Sequence, residues 1–205
     1  MKPEYWGRAK RELARNDAVM AAIIRRHPRV HLEPRGDPFH TLARSIVGQQ
    51  ISVKAAQAVW ERLCGALPAV TPAHAMRAGA SRLLACGLSR RKVEYLLDLA
   101  AHLSSARLVP ERWRAMHDEE VIAELVVVRG IGRWTAEMFL IFNLLRPDVL
   151  PVDDLGLQRA VSLAYRNGRQ LSERSLRRIA AAWQPWRSVA TWYLWRSLDP
   201  VPVEY

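Results

Sequence analysis

The segment Leu125–Asp154 constrains this chain more than any other. It reads Leu-Val-Val-Val-Arg-Gly-Ile-Gly-Arg-Trp-Thr-Ala-Glu, then an apolar run, then Pro-Val-Asp-Asp-Leu-Gly-Leu-Gln-Arg. The first half is a helix, a tight turn from Gly130 to Gly132, and a second helix. A Gly-x-Gly turn of this kind presents backbone N–H groups outward, where they can hold a phosphate. The second half sets two carboxylates, Asp153 and Asp154, after the helix-breaking Pro151. A phosphate clamp followed by a carboxylate points to chemistry on nucleic acid.

The rest of the chain reads as helix as well, with no run of alternating strand residues. Helices are expected over 5–14, 18–26, 38–47 and 53–63, with Asn16-Asp17 and Ser52 as caps. Residues 27–37 form a linker marked by Pro28, Pro34 and Gly36. Two short helices, one opened by Thr71 and one ending at Gly87, precede a longer one from Ser89 to about Ser104. The hairpin unit then supplies 118–126 and 133–144, followed by 153–165, 172–183 and 186–198. The fold class is therefore all-α.

Composition narrows the partner. The 205 residues carry a net charge of +11, and half of them are hydrophobic, enough for a substantial core. Dispersed arginines on a helical protein point to a polyanion. Arg90, Arg91 and Lys92 open a helix where cations oppose its dipole, so they either meet phosphates or form a solvated turn. Cys64 and Cys86 sit in apolar helical stretches and read as buried reduced thiols. Two cysteines cannot ligate an iron–sulfur cluster, and no Cys/His spacing suits zinc. With no apolar signal core and no membrane-spanning run, the expectation is a cytoplasmic, DNA-associated protein, held at the nucleoid if bacterial, with no membrane partner. No histidine stands in a catalytic pair, and His40 is given a surface role.

The motif Leu-x-x-Val-Arg-Gly-Ile-Gly-Arg-Trp-Thr-Ala-Glu with Asp153-Asp154 resembles the helix-hairpin-helix base-excision DNA glycosylases, and within them the alkylbase (3-methyladenine type II) branch. Ser45-Ile46-Val47-Gly48-Gln49-Gln50-Ile51-Ser52-Val53 and Trp183-x-Pro185-Trp186-Arg187-Ser188 extend the match. The resemblance implies one glycosylase domain over 1–205. One lobe would span about 38–144, including the hairpin 125–139. The other would take about 1–36 and 153–205, with the active site in the cleft between lobes. Larger members carry an N-terminal β-rich domain, for which 205 residues leave no room. Arg129 stands where many relatives have proline.

The same resemblance assigns roles. Asp154 would be the catalytic carboxylate, and a place in the first turn of a helix favours it by ~0.3–1 kcal/mol. Its charge would stabilise the oxocarbenium-like sugar. Asp153 would cap the helix. Trp134 replaces the lysine of lyase-competent relatives, so no Schiff base can form and the enzyme would be monofunctional. Trp134 and Trp195 would wall the base pocket, where an indole face attracts a cationic alkylpurine. Trp60, Trp113, Trp183 and Trp186 read as core. Gln49, Gln50 and Ile51 would form the wedge that fills the duplex when the base is flipped, with Gln50 inserting. Arg129, Gly130, Gly132, Arg133 and Thr135 would hold DNA phosphate. The carbonyls of Val126, Val128 and Ile131 would take a sodium or potassium ion; no organic cofactor is implied. The partner would be double-stranded DNA containing alkylated bases, bound by a monomer. The rivals are a glycosylase for oxidised, deaminated or mismatched bases and a non-catalytic helix-hairpin-helix DNA-binding protein. Asp154 separates the latter, since a pure binder has no need of a carboxylate facing DNA.

Overall fold

The computed structural model describes residues 2–198, and among them there is helix, turn and loop but no strand. The helices are α1 (Trp6–Asn16), α2 (Ala18–Arg26), α3 (Pro38–Gly48), α4 (Val53–Ala66), α5 (Pro72–Ala85) and α6 (Arg90–Ser104). They continue as α7 (Pro110–Trp113), α8 (Asp118–Leu125), α9 (Arg133–Phe142), α10 (Leu155–Arg166), α11 (Glu173–Ala180) and α12 (Arg187–Leu198), with a 3-10 turn at Ala181–Trp183. Among the described residues no helix is long and apolar enough to cross a membrane. The chain divides into two compact units. Among the described residues a terminal unit takes 2–34 and 140–198, and a central unit takes Arg35–Phe139.

In the terminal unit a single carboxylate ties three elements. Asp17 caps α2 through Oδ1, which accepts the Val19 and Met20 N–H groups at 2.9 and 3.0 Å. Its Oδ2 accepts the Tyr165 hydroxyl of α10 at 2.7 Å and the Trp183 indole N–H at 3.1 Å. Burial together with the Asp17 charge pushes the Tyr165 hydroxyl well above its ordinary pKa, so it remains a donor. Around this anchor Trp6, Leu13, Met20, Trp183 and Tyr193 are fully buried. Tyr5 stacks on Trp186 at 5.8 Å, and the Trp186 indole donates to Glu12 at 2.6 Å.

The central unit packs α5 on α6 and α3 on α4 and α6. Leu63, Leu83, Leu96 and Leu99 fill its interior, and Trp113 meets Phe139 edge to face at 5.2 Å. The two short helices read before Gly87 meet as one element kinked at Gly79, whose φ of 65° breaks the helix. The four-residue α7 has no counterpart in the sequence reading; it places Trp113 in the core, where that tryptophan was expected.

Two expectations are corrected. Cys86 is buried, but Cys64 is exposed. The buried stripe of α4 runs through Val59, Trp60 and Leu63, and the next residue lies about 100° further round the helix. The helix expected from Asp153 begins at Leu155, because Asp154 rather than Asp153 is its cap. Asp153 is exposed.

 The side chain that caps α10 is that of Asp154.

Candidate functional site

The site in the terminal unit is built by α10 and α12. The backbone turns at Pro151, whose carbonyl accepts the Asp154 N–H at 3.1 Å, and α10 starts immediately afterwards. Upstream, the first turn of α12 fastens the approach. The Ser188 N–H donates to the Pro147 carbonyl at 3.0 Å, the Ser188 hydroxyl accepts the Val149 N–H at 2.9 Å, and Arg187 grips Asp148 with Nε and Nη2 at 2.8 and 2.9 Å. Two turns further along α12, Trp195 reaches the carboxylate itself.

Asp154 Oδ1 accepts the Leu157 N–H at 2.6 Å and the Trp195 indole N–H at 2.8 Å. The residue is 8% exposed. One oxygen therefore holds the carboxylate by two directional bonds, one from the helix end and one from a neighbouring helix. The Trp195 ring stacks on Phe142 at 5.8 Å and 14°, and Phe142 meets Trp192 edge to face at 6.0 Å. Trp195 is thus more than the aromatic wall expected from the sequence: its N–H orients the candidate catalytic group. Asp154 combines the cap and the carboxylate that the sequence reading had divided between two residues.

Gly156 completes this arrangement. A Cβ there would lie 3.1 Å from Asp154 Oδ1 and 3.3 Å from two atoms of the Trp195 ring. Gly156→Ala is therefore expected to displace the carboxylate by a few tenths of an ångström. Alanine suits a helix better than glycine, so the thermal midpoint should hold or rise slightly. Single-turnover base release should fall roughly tenfold, because sub-ångström misplacement of a catalytic group is costly. Unchanged release would show that this carboxylate has no positional role.

In the central unit α8 and α9 flank the hairpin. Val128 N–H donates to Leu125 and Ile131 N–H to Val128, at 3.2 and 3.1 Å, and these turn bonds do not use the amides of Gly130 or Gly132. The first-turn amides of α9, including those of Arg133 and Thr135, have no acceptor within the helix by its geometry. Gly130 has φ +82°, and a Cβ there would fall 2.1 Å from the Tyr95 ring. Its carbonyl accepts Gln49 Nε2 at 2.8 Å.

The side chains expected to hold phosphate are differently disposed. Arg133 is engaged by Glu119 through two bonds at 2.5 and 2.9 Å and by Glu137 at 3.1 Å. That pairing raises the pKa of Arg133 and lowers that of Glu119. The Arg133 side chain is still about half exposed, at 49%. Thr135 is 6% exposed. Arg129 donates its backbone N–H to Asp98 Oδ2 at 2.8 Å, while its guanidinium reaches Oδ1 only at 3.5 Å and stays largely exposed. Trp134 stands at the second position of α9, half-buried.

Gln50 and Ile51 are exposed, the latter by 40%, and Gln50 adopts φ 56°. Gln49 is half-buried, and its side chain donates to the Gly130 carbonyl. Lys92 donates to the Val47 carbonyl at 2.7 Å, an internal partner for one of the three cations that open α6. His40 packs edge-on against Trp60 at 4.8 Å, and burial lowers its pKa. Val126, Val128 and Ile131 offer only carbonyl oxygens, a donor set that suits a hard cation. The Val128 oxygen already accepts the Ile131 N–H and retains a second lone pair. Among the described residues no group of three or more His, Cys, Asp and Glu side chains could hold a metal.

Residues 43–186 match the HhH-GPD superfamily base excision DNA repair protein family. The chain is 34% identical over 168 residues to DNA-3-methyladenine glycosylase 1 of Schizosaccharomyces pombe, covering 78% of this chain and 72% of that protein. Its structure is similar to a DNA-3-methyladenine glycosidase from Bacillus halodurans, with a TM-score of 0.82 and 35% identity over 92% of this chain and 87% of the other. It is also similar to the S. pombe 3-methyladenine DNA glycosylase Mag1 in complex with abasic DNA. There the TM-score is 0.83 and the identity 27%, over 97% and 99% of the two chains.

Proposed function

Because the chain belongs to the HhH-GPD superfamily of base excision DNA repair proteins, we propose that it is a monofunctional DNA glycosylase. It hydrolyses the N-glycosidic bond of alkylated purines, of the 3-methyladenine and 7-methylguanine type, in duplex DNA and leaves an abasic site. The observation that carries this reading is the Asp154 carboxylate, buried and held by the Leu157 amide and the Trp195 indole. A non-catalytic binder would gain nothing from orienting a carboxylate in this way.

The chemistry follows from charge. An N-alkylated purine is cationic. When the bond from C1′ to the ring nitrogen breaks, its electron pair goes to the base, which departs neutral. Positive charge develops on the sugar, and Asp154 stabilises it electrostatically. Water adds to C1′ and loses a proton, giving the abasic sugar. An unmodified purine would leave as an anion, so normal DNA is a poorer substrate. Trp134 supplies a π face for the cationic base and no amine for a Schiff base.

The hairpin amides, with Arg129, hold a phosphate of the duplex, and Gln50 and Ile51 enter the stack. A sodium or potassium ion bound by the Val126, Val128 and Ile131 carbonyls would add positive charge beside that phosphate. One hairpin and one carboxylate suffice, so the protein acts on DNA as a monomer.

The test is base release from duplex DNA carrying 3-methyladenine or 7-methylguanine, followed by a strand-cleavage assay. Free methylated base should appear, and the strand should remain intact until alkali is added. Borohydride should trap no covalent complex. Failure to release either base would overturn the reading, and a trapped adduct would overturn the monofunctional assignment.

A further inference from the structure

One face of α6 contacts both DNA-binding loops of the central unit. Lys92, Tyr95 and Asp98 recur every three residues and so share that face. Lys92 Nζ donates to the Val47 carbonyl at 2.7 Å, in the last turn of α3 before the exposed loop. The Tyr95 ring lies against Gly130 so closely that a Cβ there would meet it at 2.1 Å. Asp98 Oδ2 accepts the Arg129 N–H at 2.8 Å. Gln49 closes the figure across 81 residues of sequence, donating from Nε2 to the Gly130 carbonyl at 2.8 Å.

The loop held in this way is strained and exposed. Gln50 is a non-glycine residue at φ 56°, a conformation that persists where surrounding contacts impose it. We infer that Gln49 is a positioning residue for base extrusion. Its amide fixes the loop carrying Gln50 and Ile51 at a set distance from the hairpin, and α6 keeps both in register. Phosphate capture at the hairpin then places Gln50 against the base stack without a separate folding step. The inference rests on the glycosylase reading for what the loop meets, and it assigns Gln49 to the support rather than to the wedge.

The test uses Gln49→Leu, which keeps much of the volume and removes the amide, and Lys92→Met, which removes the second tie. Each is bound to a duplex holding a tetrahydrofuran abasic analogue beside 2-aminopurine, whose fluorescence rises on unstacking. Gln49→Leu should bind undamaged duplex within about twofold of wild type, while the fluorescence rise falls about fivefold. Lys92→Met should show the same pattern more weakly. Release of 3-methyladenine from a paired site should fall about tenfold with Gln49→Leu and recover when the base faces a gap, since extrusion there meets little resistance. A wild-type fluorescence rise in Gln49→Leu, or equal losses at paired and gapped sites, would overturn the inference. The fluorescence readout needs no excision, so a wild-type protein that unstacks the probe but releases no base would count against the proposed function alone.

Discussion

Asp154→Asn should lower single-turnover release of methylated purine roughly 10²–10³-fold while leaving duplex affinity intact. The structure makes this a clean substitution. Asparagine is as good an N-cap as aspartate, and its side-chain oxygen can still accept from the Leu157 amide and the Trp195 indole. The substitution removes the negative charge and turns the second carboxylate oxygen from an acceptor into an amide donor. Asp154→Ala would confound the result, because it loses the cap, about 1 kcal/mol, and leaves the half-buried Trp195 N–H without this acceptor. Thermal denaturation beside the kinetic assay separates the two. An asparagine variant within about threefold of wild type would remove Asp154 from the mechanism.

Gly130→Ala should produce the largest loss of stability among the residues discussed. The left-handed conformation costs an alanine ~1–2 kcal/mol. The new Cβ would also stand 2.1 Å from the Tyr95 ring, and overpacking of this kind costs ~1–3 kcal/mol. A total of about 2–5 kcal/mol should appear in denaturant unfolding, with weakened duplex binding as the hairpin amides move. Adding Tyr95→Ala should recover part of the overpacking cost and none of the backbone cost. An alanine variant as stable as wild type would mean that the hairpin relaxes freely and cannot serve as a fixed phosphate grip.

Local signals were readable because their causes are local. Asp17, Ser52 and Ser89 cap the helices expected of them, and the apolar spacing marks most helix spans within a residue or two. The choice between Asp153 and Asp154 depended on where the Pro151 turn closes, a one-residue question that composition does not answer. Cys64 looked buried because its neighbours are apolar, although its angular position places it outside the stripe. The pairing of Arg133 with Glu119 spans 14 residues and is not marked by local spacing. Trp195 lies 41 residues from Asp154, and Gln49 lies 81 from Gly130. Only the assembled chain reveals those pairings, and they turn a roster of plausible side chains into one oriented carboxylate and one supported loop.

The bond between Asp98 and the Arg129 amide bears on how this hairpin can vary. Proline carries no N–H, so a chain with proline at that position needs no acceptor there. Arginine brings a donor into the turn, and Asp98 satisfies it. Positions 98 and 129 therefore form a pair whose substitutions are interdependent. Proline at 129 would release position 98 from this role, whereas losing the acid while arginine remains would hand the exposed amide to water. Proline at 129 and loss of the acid at 98 are therefore compatible changes, whereas an acid at 98 has a backbone donor to hold only while 129 is not proline.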